Sequence, residues 1–362
     1  MKYGRMDPHH GKTGPMNNKL LLGYCILVTG HTGFKGSWLT LMLESLGAEV
    51  YGYSLPPEKN SIFGSFPIDT AVNSKFGDIR DFKEVCSYIE LVRPDFIIHL
   101  AAQSLVIESY RDPLTTFQTN VIGTANILES LRHIESVLGV IVVTSDKVYT
   151  PTSVDFAHSE GSQLGGSEPY GASKAGAELV VNSWRSVIKD ATIRLITARA
   201  GNAIGGGDIS HNRLIPDIFR AYRQNTTIEI RNPASIRPWQ HVLEPIFGYV
   251  KILLQIIGKK PLSNTYNFGP SLNSNKTVED VLVTTKRLWP QCPNWIISNT
   301  DIPETNKLSI NSSLAKTELG WENILQFEEA IKLTIEWELG VSNKSAHELT
   351  KNQIYKYLER AL

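Results

Sequence analysis

A glycine-rich turn near the start of the chain, Val28-Thr29-Gly30-His31-Thr32-Gly33-Phe34-Lys35-Gly36-Ser37-Trp38, leaves few folds open. The apolar run Cys25-Ile26-Leu27-Val28 leads into it. A helical pattern follows, with Trp38, Leu39, Leu41, Met42 and Leu46 on its apolar side and Gly47 at its end. The order is buried strand, tight turn, helix. Gly30, Gly33 and Gly36 each have a physical task there: a sharp turn, a close approach of backbone to a pyrophosphate, and a tight helix–strand contact. The helix N-terminus adds free N–H groups and the positive end of a dipole. Turns before helices often carry glycine without any ligand. In this strand–turn–helix setting the triplet predicts a dinucleotide site, with Thr32, Phe34 and Lys35 beside the glycines in its loop. Lys35 either reaches the phosphates from inside the loop or stays in solvent.

The rest of the first half repeats the alternation. Glu49 to Ser54 reads as a second strand. Dinucleotide-binding units place an acid at the end of that strand for the adenosine ribose. Here the place falls at Ser54, which can bond a hydroxyl, and no arginine stands there for a 2′-phosphate. The reading is therefore NAD. Asp78-Ile79 either holds the adenine edge and one ring face or belongs to the cap of a helix over Phe82–Leu91. Asp95 to Leu100 is a further buried strand. It ends in Ala101-Ala102-Gln103, residues small enough at the first two places for a cofactor to cross with Leu100 beneath it. His99 reads as a core histidine. Asn120 is expected to open a helix over Val121 to Arg132. Val140 to Val143 is the next strand, followed by Thr144-Ser145-Asp146-Lys147. Strands alternating with helices argue for a Rossmann-type, doubly wound parallel α/β sheet, with ligands at the carboxyl ends of its strands.

Tyr170-Gly171-Ala172-Ser173-Lys174 puts a phenol and an ammonium four residues apart, on one helix face. An ammonium beside a phenol lowers its pKa from about 10. Such a pair is a base able to take a hydroxyl proton while hydride leaves. Ile193 to Thr197 is another strand and leads into a glycine-rich loop. Ile228-Glu229-Ile230 reads as hairpin-like, helices are expected over Pro245–Ile257 and Thr277–Leu288, and His347 to Leu362 reads as an amphipathic helix that docks on the body. Arg213 and Arg237 lie near loops, where a guanidinium can fork two diphosphate oxygens.

The motifs resemble those of the extended short-chain dehydrogenase/reductase family, and within it the CDP-glucose 4,6-dehydratases. They are the glycine turn, Thr144-Ser145-Asp146-Lys147, Tyr170-x-x-x-Lys174, Arg199-Ala200-Gly201-Asn202-Ala203-Ile204-Gly205-Gly206-Gly207-Asp208, and Ile236-Arg237-Pro238-Trp239-Gln240-His241-Val242-Leu243-Glu244-Pro245. The resemblance runs from about Ile26 to Trp337. It implies a smaller C-terminal α/β domain for a nucleotide sugar, over 200–239 and 260–362. The NAD domain then covers 20–199 and about 240–259, after a loose extension over 1–19. It implies a homodimer or homotetramer. By the same resemblance Tyr170 takes the 4-hydroxyl proton, Lys174 holds the nicotinamide ribose, Ser145 bonds the 4-oxygen and Asp146 protonates the leaving 6-hydroxyl. Lys147 stands where related dehydratases carry a glutamate base. Gln103, Asn202, Arg213 and Arg237 face the sugar nucleotide. One stretch departs from the family: Thr150 to His158 replaces a tryptophan-rich segment, and His158 is either an added acid/base or a loop histidine. An epimerase or reductase on the same scaffold would need Ser145 and Tyr170 but not Asp146-Lys147. A cofactor-sensing regulator would tend to lose Tyr170 or Lys174.

Lys+Arg and Asp+Glu balance at 36 each in 362 residues, which offers no bulk attraction to nucleic acid or to an anionic membrane. Cys25, Cys86 and Cys292 have neither metal-like nor disulfide-like spacing and suit a reduced cytoplasmic setting. No stretch is long and apolar enough to span a bilayer. The first sixteen residues lack the apolar core of a signal peptide, since Lys19 and Gly23 interrupt the single candidate.

Overall fold

The computed structural model describes residues 19–65, 72–151, 156–188, 192–270, 275–298 and 308–362. Nearly all of the N-terminal extension, and Thr152 to Asp155 of the departing segment, lie outside them. Apolar runs form the strands Cys25–Thr29 (β1), Glu49–Ser54 (β2), Val72–Phe76 (β3), Phe96–His99 (β4), Gly139–Val143 (β5) and Arg194–Ala200 (β6). Ala203–Ile204 (β7), Ile228–Ile230 (β8), Ile236–Pro238 (β9) and Gln240–His241 (β10) are short, and Thr265–Phe268 (β11) is followed by Asn275–Thr277 (β12) and Trp295–Ile297 (β13). The helices are Phe34–Ser45 (α1), Phe82–Val92 (α2), Val106–Arg111 (α3), Pro113–Phe117 (α4), Gly123–Ser130 (α5), Pro169–Val187 (α6), Leu214–Gln224 (α7), Leu243–Ile257 (α8), Val278–Leu288 (α9), Ser313–Leu319 (α10), Phe327–Gly340 (α11) and Ala346–Ala361 (α12).

Seven strands form one sheet in the order β11-β6-β5-β4-β1-β2-β3, every pair parallel. A strand alternates its side chains between faces. Ile26 and Val28 of β1 accordingly enter one core, while Leu27 enters another. The first core packs α1, α8 and α12 against the sheet, and the second packs α2, α5 and α6 against its other face. Burial on both faces is why these strands read as continuous apolar runs. The chain reverses its winding between β1 and β4, and a crevice opens there at the strand ends. A third core holds Ile218 and Phe219 of α7, Trp239, Val281 and Leu282 of α9, and Ile331 of α11. Its position beyond the ends of β5 and β6 closes the crevice from above. Among the described residues, no helix is long and apolar enough to cross a membrane.

The structure corrects several local expectations. Asn120 does not open a helix: it sits inside a π turn, Gln118–Ile122, that joins α4 to α5. Asp81, not Asp78, caps α2, accepting from the Glu84 amide at 3.1 Å. Ile228–Ile230 is not half of a hairpin, because its partner is β13, in parallel. The C-terminal part is not wholly separate either. β11 completes the main sheet beside β6, and α12 packs on the sheet-bound core through Ile354, Tyr357 and Leu358.

Glu244, at the start of α8, ties that C-terminal part down. Its carboxyl accepts from the Ile324 amide at 3.0 Å, the Leu325 amide at 2.6 Å and the Tyr357 hydroxyl at 2.8 Å. Burial pushes this carboxyl from 4.5 up to about 7, against the pull of those donors. The folded protein therefore favours the protonated form. The stabilisation is complete below about pH 4.5 and is lost as pH rises through 7, a change of about 3 kcal/mol. Urea unfolding of wild type and Glu244→Gln across that window checks this. Wild type should lose stability relative to the variant as pH rises, and the difference should level off above 7.

Candidate active site

The glycine turn lies over the crevice. Gly30 has φ of +73°, a left-handed conformation that favours glycine, and a side chain there would strike the Ala101 amide. A side chain at Gly36 would strike the Gly30 carbonyl and the His31 backbone. Gly33 is different: a Cβ there meets nothing closer than the Gly30 carbonyl, at 3.4 Å. Gly30 and Gly36 thus let the turn, β4 and α1 close on one another, and Gly33 leaves room above them. Gly33 caps α1 without a side-chain bond, and no acid occupies the first turn. The amides there suit an anion. Leu100 and Ala101 pack directly under Gly30, as a crossing cofactor requires. At the end of β2, the Ser54 hydroxyl bonds the Thr32 hydroxyl at 2.8 Å. Asp78 forks onto Arg80 at 2.6–3.1 Å, while Ile79 is buried against Gly123. This cradle fits a dinucleotide.

Beyond the strand ends, between the sheet and the third core, lies a cleft of about 1240 Å³. It brings together Lys35, Ser145, Asp146, Lys147, Tyr170, Asn202, Arg213 and Arg237 from six separate stretches of chain. β5 delivers Ser145 and Asp146 at its carboxyl end, where a short 3₁₀ turn, Asp146–Val148, lifts them off the sheet. Ser145 donates to Asp146 Oδ1 at 3.0 Å and accepts from the Lys147 amide at 3.2 Å. Among the described residues, Asp146 Oδ2 is buried beside Gly201 and bonded to no other group. Burial raises the Asp146 carboxyl above its ordinary range, opposed by Lys147, Ser145, Lys35 and Arg237. Burial also pushes the Tyr170 phenol up to about 12, with Ser145 and Arg213 pulling it down. Ser145 and Arg213, not Lys174, lead the groups that lower it. Instead the Lys174 ammonium donates to the Val143 carbonyl at 3.0 Å. It falls to about 8 through burial and repulsion from Lys35.

Some predicted residues have other duties. The Gln103 amide is consumed within the chain, by Leu105 and Thr116, and Gln103 does not line the cleft; its neighbours Ser104 and Leu105 do. Asn120 holds the Gln103 backbone and Ser173. Lys35 points across the turn into the cleft, where its charge is felt by Asp146 and Asp208. Arg213 pairs with Asp208 at 3.1 Å. His158 stacks flat on Tyr149 with ring centroids 4.6 Å apart, away from the cleft. His99 bonds Thr29 and Thr124 inside the sheet, as a core histidine should.

Two residues escape a reading of the sequence. Glu168 receives the Gly171 amide at 2.7 Å as the cap of α6, and its other oxygen lies 3.5 Å from the Lys147 ammonium. The signal was present, since Pro169 marks the first helical position and so makes Glu168 the cap, two residues before Tyr170. Glu178 continues the Tyr170–Lys174 face by one further turn. It takes Arg199 in a fork at 2.8 and 2.9 Å and accepts from Thr144 at 2.6 Å. Arg199 also donates to the Tyr149 hydroxyl and the Glu160 carbonyl. Nothing in the spacing announces that pairing.

Solved structures with this architecture include a UDP-glucose 4-epimerase from Stenotrophomonas maltophila with bound NAD, at a TM-score of 0.78 and 21% identity over 88% of this chain and 99% of that one. A dTDP-glucose 4,6-dehydratase from Bacillus anthracis in complex with NAD matches at 0.73 and 21%, over 89% and 98%. They share the fold. By sequence, the chain is 39% identical over 325 residues to a CDP-glucose 4,6-dehydratase of Salmonella typhimurium, 87% of this chain and 90% of that protein. Residues 27–334 match the family described as GDP-mannose 4,6 dehydratase. Fold, motif residues and sequence agree with the dehydrogenase/reductase resemblance, and the chain belongs to the GDP-mannose 4,6 dehydratase family.

Proposed function

We propose that the chain is an NAD-dependent 4,6-dehydratase of a nucleotide sugar, with CDP-glucose as substrate. The observation that carries this is the Ser145–Asp146 pair facing Tyr170 in one cleft. An oxidation alone needs the phenol and the serine. A buried carboxyl raised above its ordinary range adds an acid, which removal of water requires. The 39% identity to a CDP-glucose enzyme supports the choice of sugar nucleotide.

The cradle of Gly30, Gly33 and Gly36, with Lys174 at the other end, holds the cofactor. Bound NAD supplies the acceptor for hydride from C4 and its later donor to C6. The residues do the proton work. Tyr170 takes the proton of the 4-hydroxyl. The resulting ketone acidifies the C5 hydrogen, and Lys147, placed by Glu168 and acting as the neutral amine, removes it. Asp146 gives its proton to the 6-hydroxyl, which departs as water. Lys147 then returns a proton to C5, leaving a 4-keto-6-deoxy sugar. Arg213, Arg237 and Asn202 line the cleft where the diphosphate lies. The exposed apolar side chains Leu114, Phe117, Ile122 and Leu179, on α4 to α6, support a homodimer through that face. The free cysteines suit the cytoplasm.

Purified protein should release NAD(H) on denaturation. With CDP-glucose it should form a product showing the base-induced absorbance of a 4-keto sugar, faster than with the UDP or dTDP sugar. Release of NADP(H) alone, or a product that keeps its 6-hydroxyl, would sink this reading.

A further inference from the structure

Proton balance exposes a step that the cycle above leaves open. In each turnover Tyr170 gains one proton, from the 4-hydroxyl. Asp146 loses one, to the departing water. The C5 proton goes out to Lys147 and comes back, so it cancels. Before the next cycle, one proton has to pass from Tyr170 to Asp146. Both side chains are buried, at 9% and 2% exposure, so exchange with bulk water is hindered.

Ser145 stands between them. A serine hydroxyl has one proton and two lone pairs. Here the proton is directed at Asp146 Oδ1 at 3.0 Å, and one lone pair accepts the Lys147 amide at 3.2 Å. The second lone pair is left for the phenol, which lines the same cleft as Ser145. Such contacts tighten in the substrate complex.

We propose that Ser145 passes the proton from Tyr170 to Asp146 and so resets the site between turnovers. This rests on the dehydratase reading. Tyr170 gives its O–H proton to Ser145 Oγ as Ser145 gives its own to Asp146 Oδ1. Two O–H bonds break and two form, leaving a phenolate, an intact serine and a neutral carboxyl. No electrons change hands. A half-turn of the carboxyl then puts the new proton at the Oδ2 position, which has no other partner among the described residues. With Asp146 neutral, the Ser145 hydroxyl is released to donate to the 4-oxygen. One hydroxyl thus serves oxidation and reset in turn. Arg213, a cation facing the same cleft, favours the phenolate, as would the positive charge of a bound nicotinamide ring.

The test compares wild type, Ser145→Ala and Ser145→Thr, each loaded with NAD, in first and later turnovers of CDP-glucose. Imidazole buffer is raised at constant pH and ionic strength. Ser145→Ala should slow in its first turnover, having lost the donor to the 4-oxygen, and its later turnovers should be slower again by about 10²-fold. Its later turnovers should speed up with imidazolium concentration, because a small acid replaces the lost relay. Wild type and Ser145→Thr should ignore the buffer. Equal first and later rates in Ser145→Ala, or no response to buffer, overturn the relay alone. So does a loss in Ser145→Ala that is confined to the first turnover, since Ser145 would then act on the 4-hydroxyl only. If wild type forms no 4-keto-6-deoxy product, the dehydratase reading itself falls.

Discussion

Tyr170→Phe should stop the reaction at its first step, with a loss of about 10³- to 10⁴-fold in turnover and little change in fold. The ring stays packed, so the removed atom is the one that matters. In the bare site the phenol is held near 12, and only about one molecule in 10⁵ carries a phenolate at neutral pH. Binding has to bring that value down by several units. The sign follows directly: activity needs the deprotonated form, so it falls as pH drops below the phenol's value in the complex. Ultraviolet difference absorbance can follow phenolate formation with and without NAD, using Tyr170→Phe to identify the signal. A phenol that titrates at the same high pH in both states, or a folded variant with normal turnover, shows that another group is the base.

Asp146→Asn should separate oxidation from elimination. Asparagine keeps the shape and can still accept from Ser145, but it has no acidic proton to give. Oxidation at C4 does not need that proton, and departure of the 6-hydroxyl does. The variant should build up the near-ultraviolet absorbance of reduced cofactor on mixing with CDP-glucose. Release of 6-deoxy product should drop by about 10²-fold or more. The buried position makes the split sharp, because Asp146 is 2% exposed and water has little access to replace it. If neither reduced cofactor nor product forms while substrate still binds, Asp146 serves the oxidation and its assigned role is wrong.

Much of this was legible before any coordinates. The parallel sheet follows from apolar runs that alternate with helical patterns, and β1, α1 and the three glycines fall where their order places them. Tyr170 and Lys174 share a face because a helix repeats on that spacing. What could not be read were pairings across long separations. Lys147 meets Glu168, Arg199 meets Glu178, and Asn120 meets Ser173 only once the sheet has brought their elements together. The join of β11 to β6 is of the same kind, since a strand of four residues carries no label for its neighbour. Lys35 shows a different limit. Its place in the glycine turn suggested phosphates, but the direction of a side chain beyond a turn depends on what surrounds it. Gln103 fails for a similar reason, its amide having found nearer partners.

The Arg199 fork governs how the site can breathe. One buried guanidinium is held by Glu178 from α6, by the Tyr149 hydroxyl and by the Glu160 carbonyl. Pulling Glu178 away strands a charge in the interior, at a cost of about 3–5 kcal/mol. By that figure, such an opened state exists in only about 10⁻² to 10⁻⁴ of molecules. The wall formed by α6, Tyr149 and Glu160 is therefore a fixed jamb, and amides along it should exchange together and slowly. Arg111 and Arg231 stand where the cleft meets a neighbouring cavity of about 520 Å³, and a sugar nucleotide entering there would pass both.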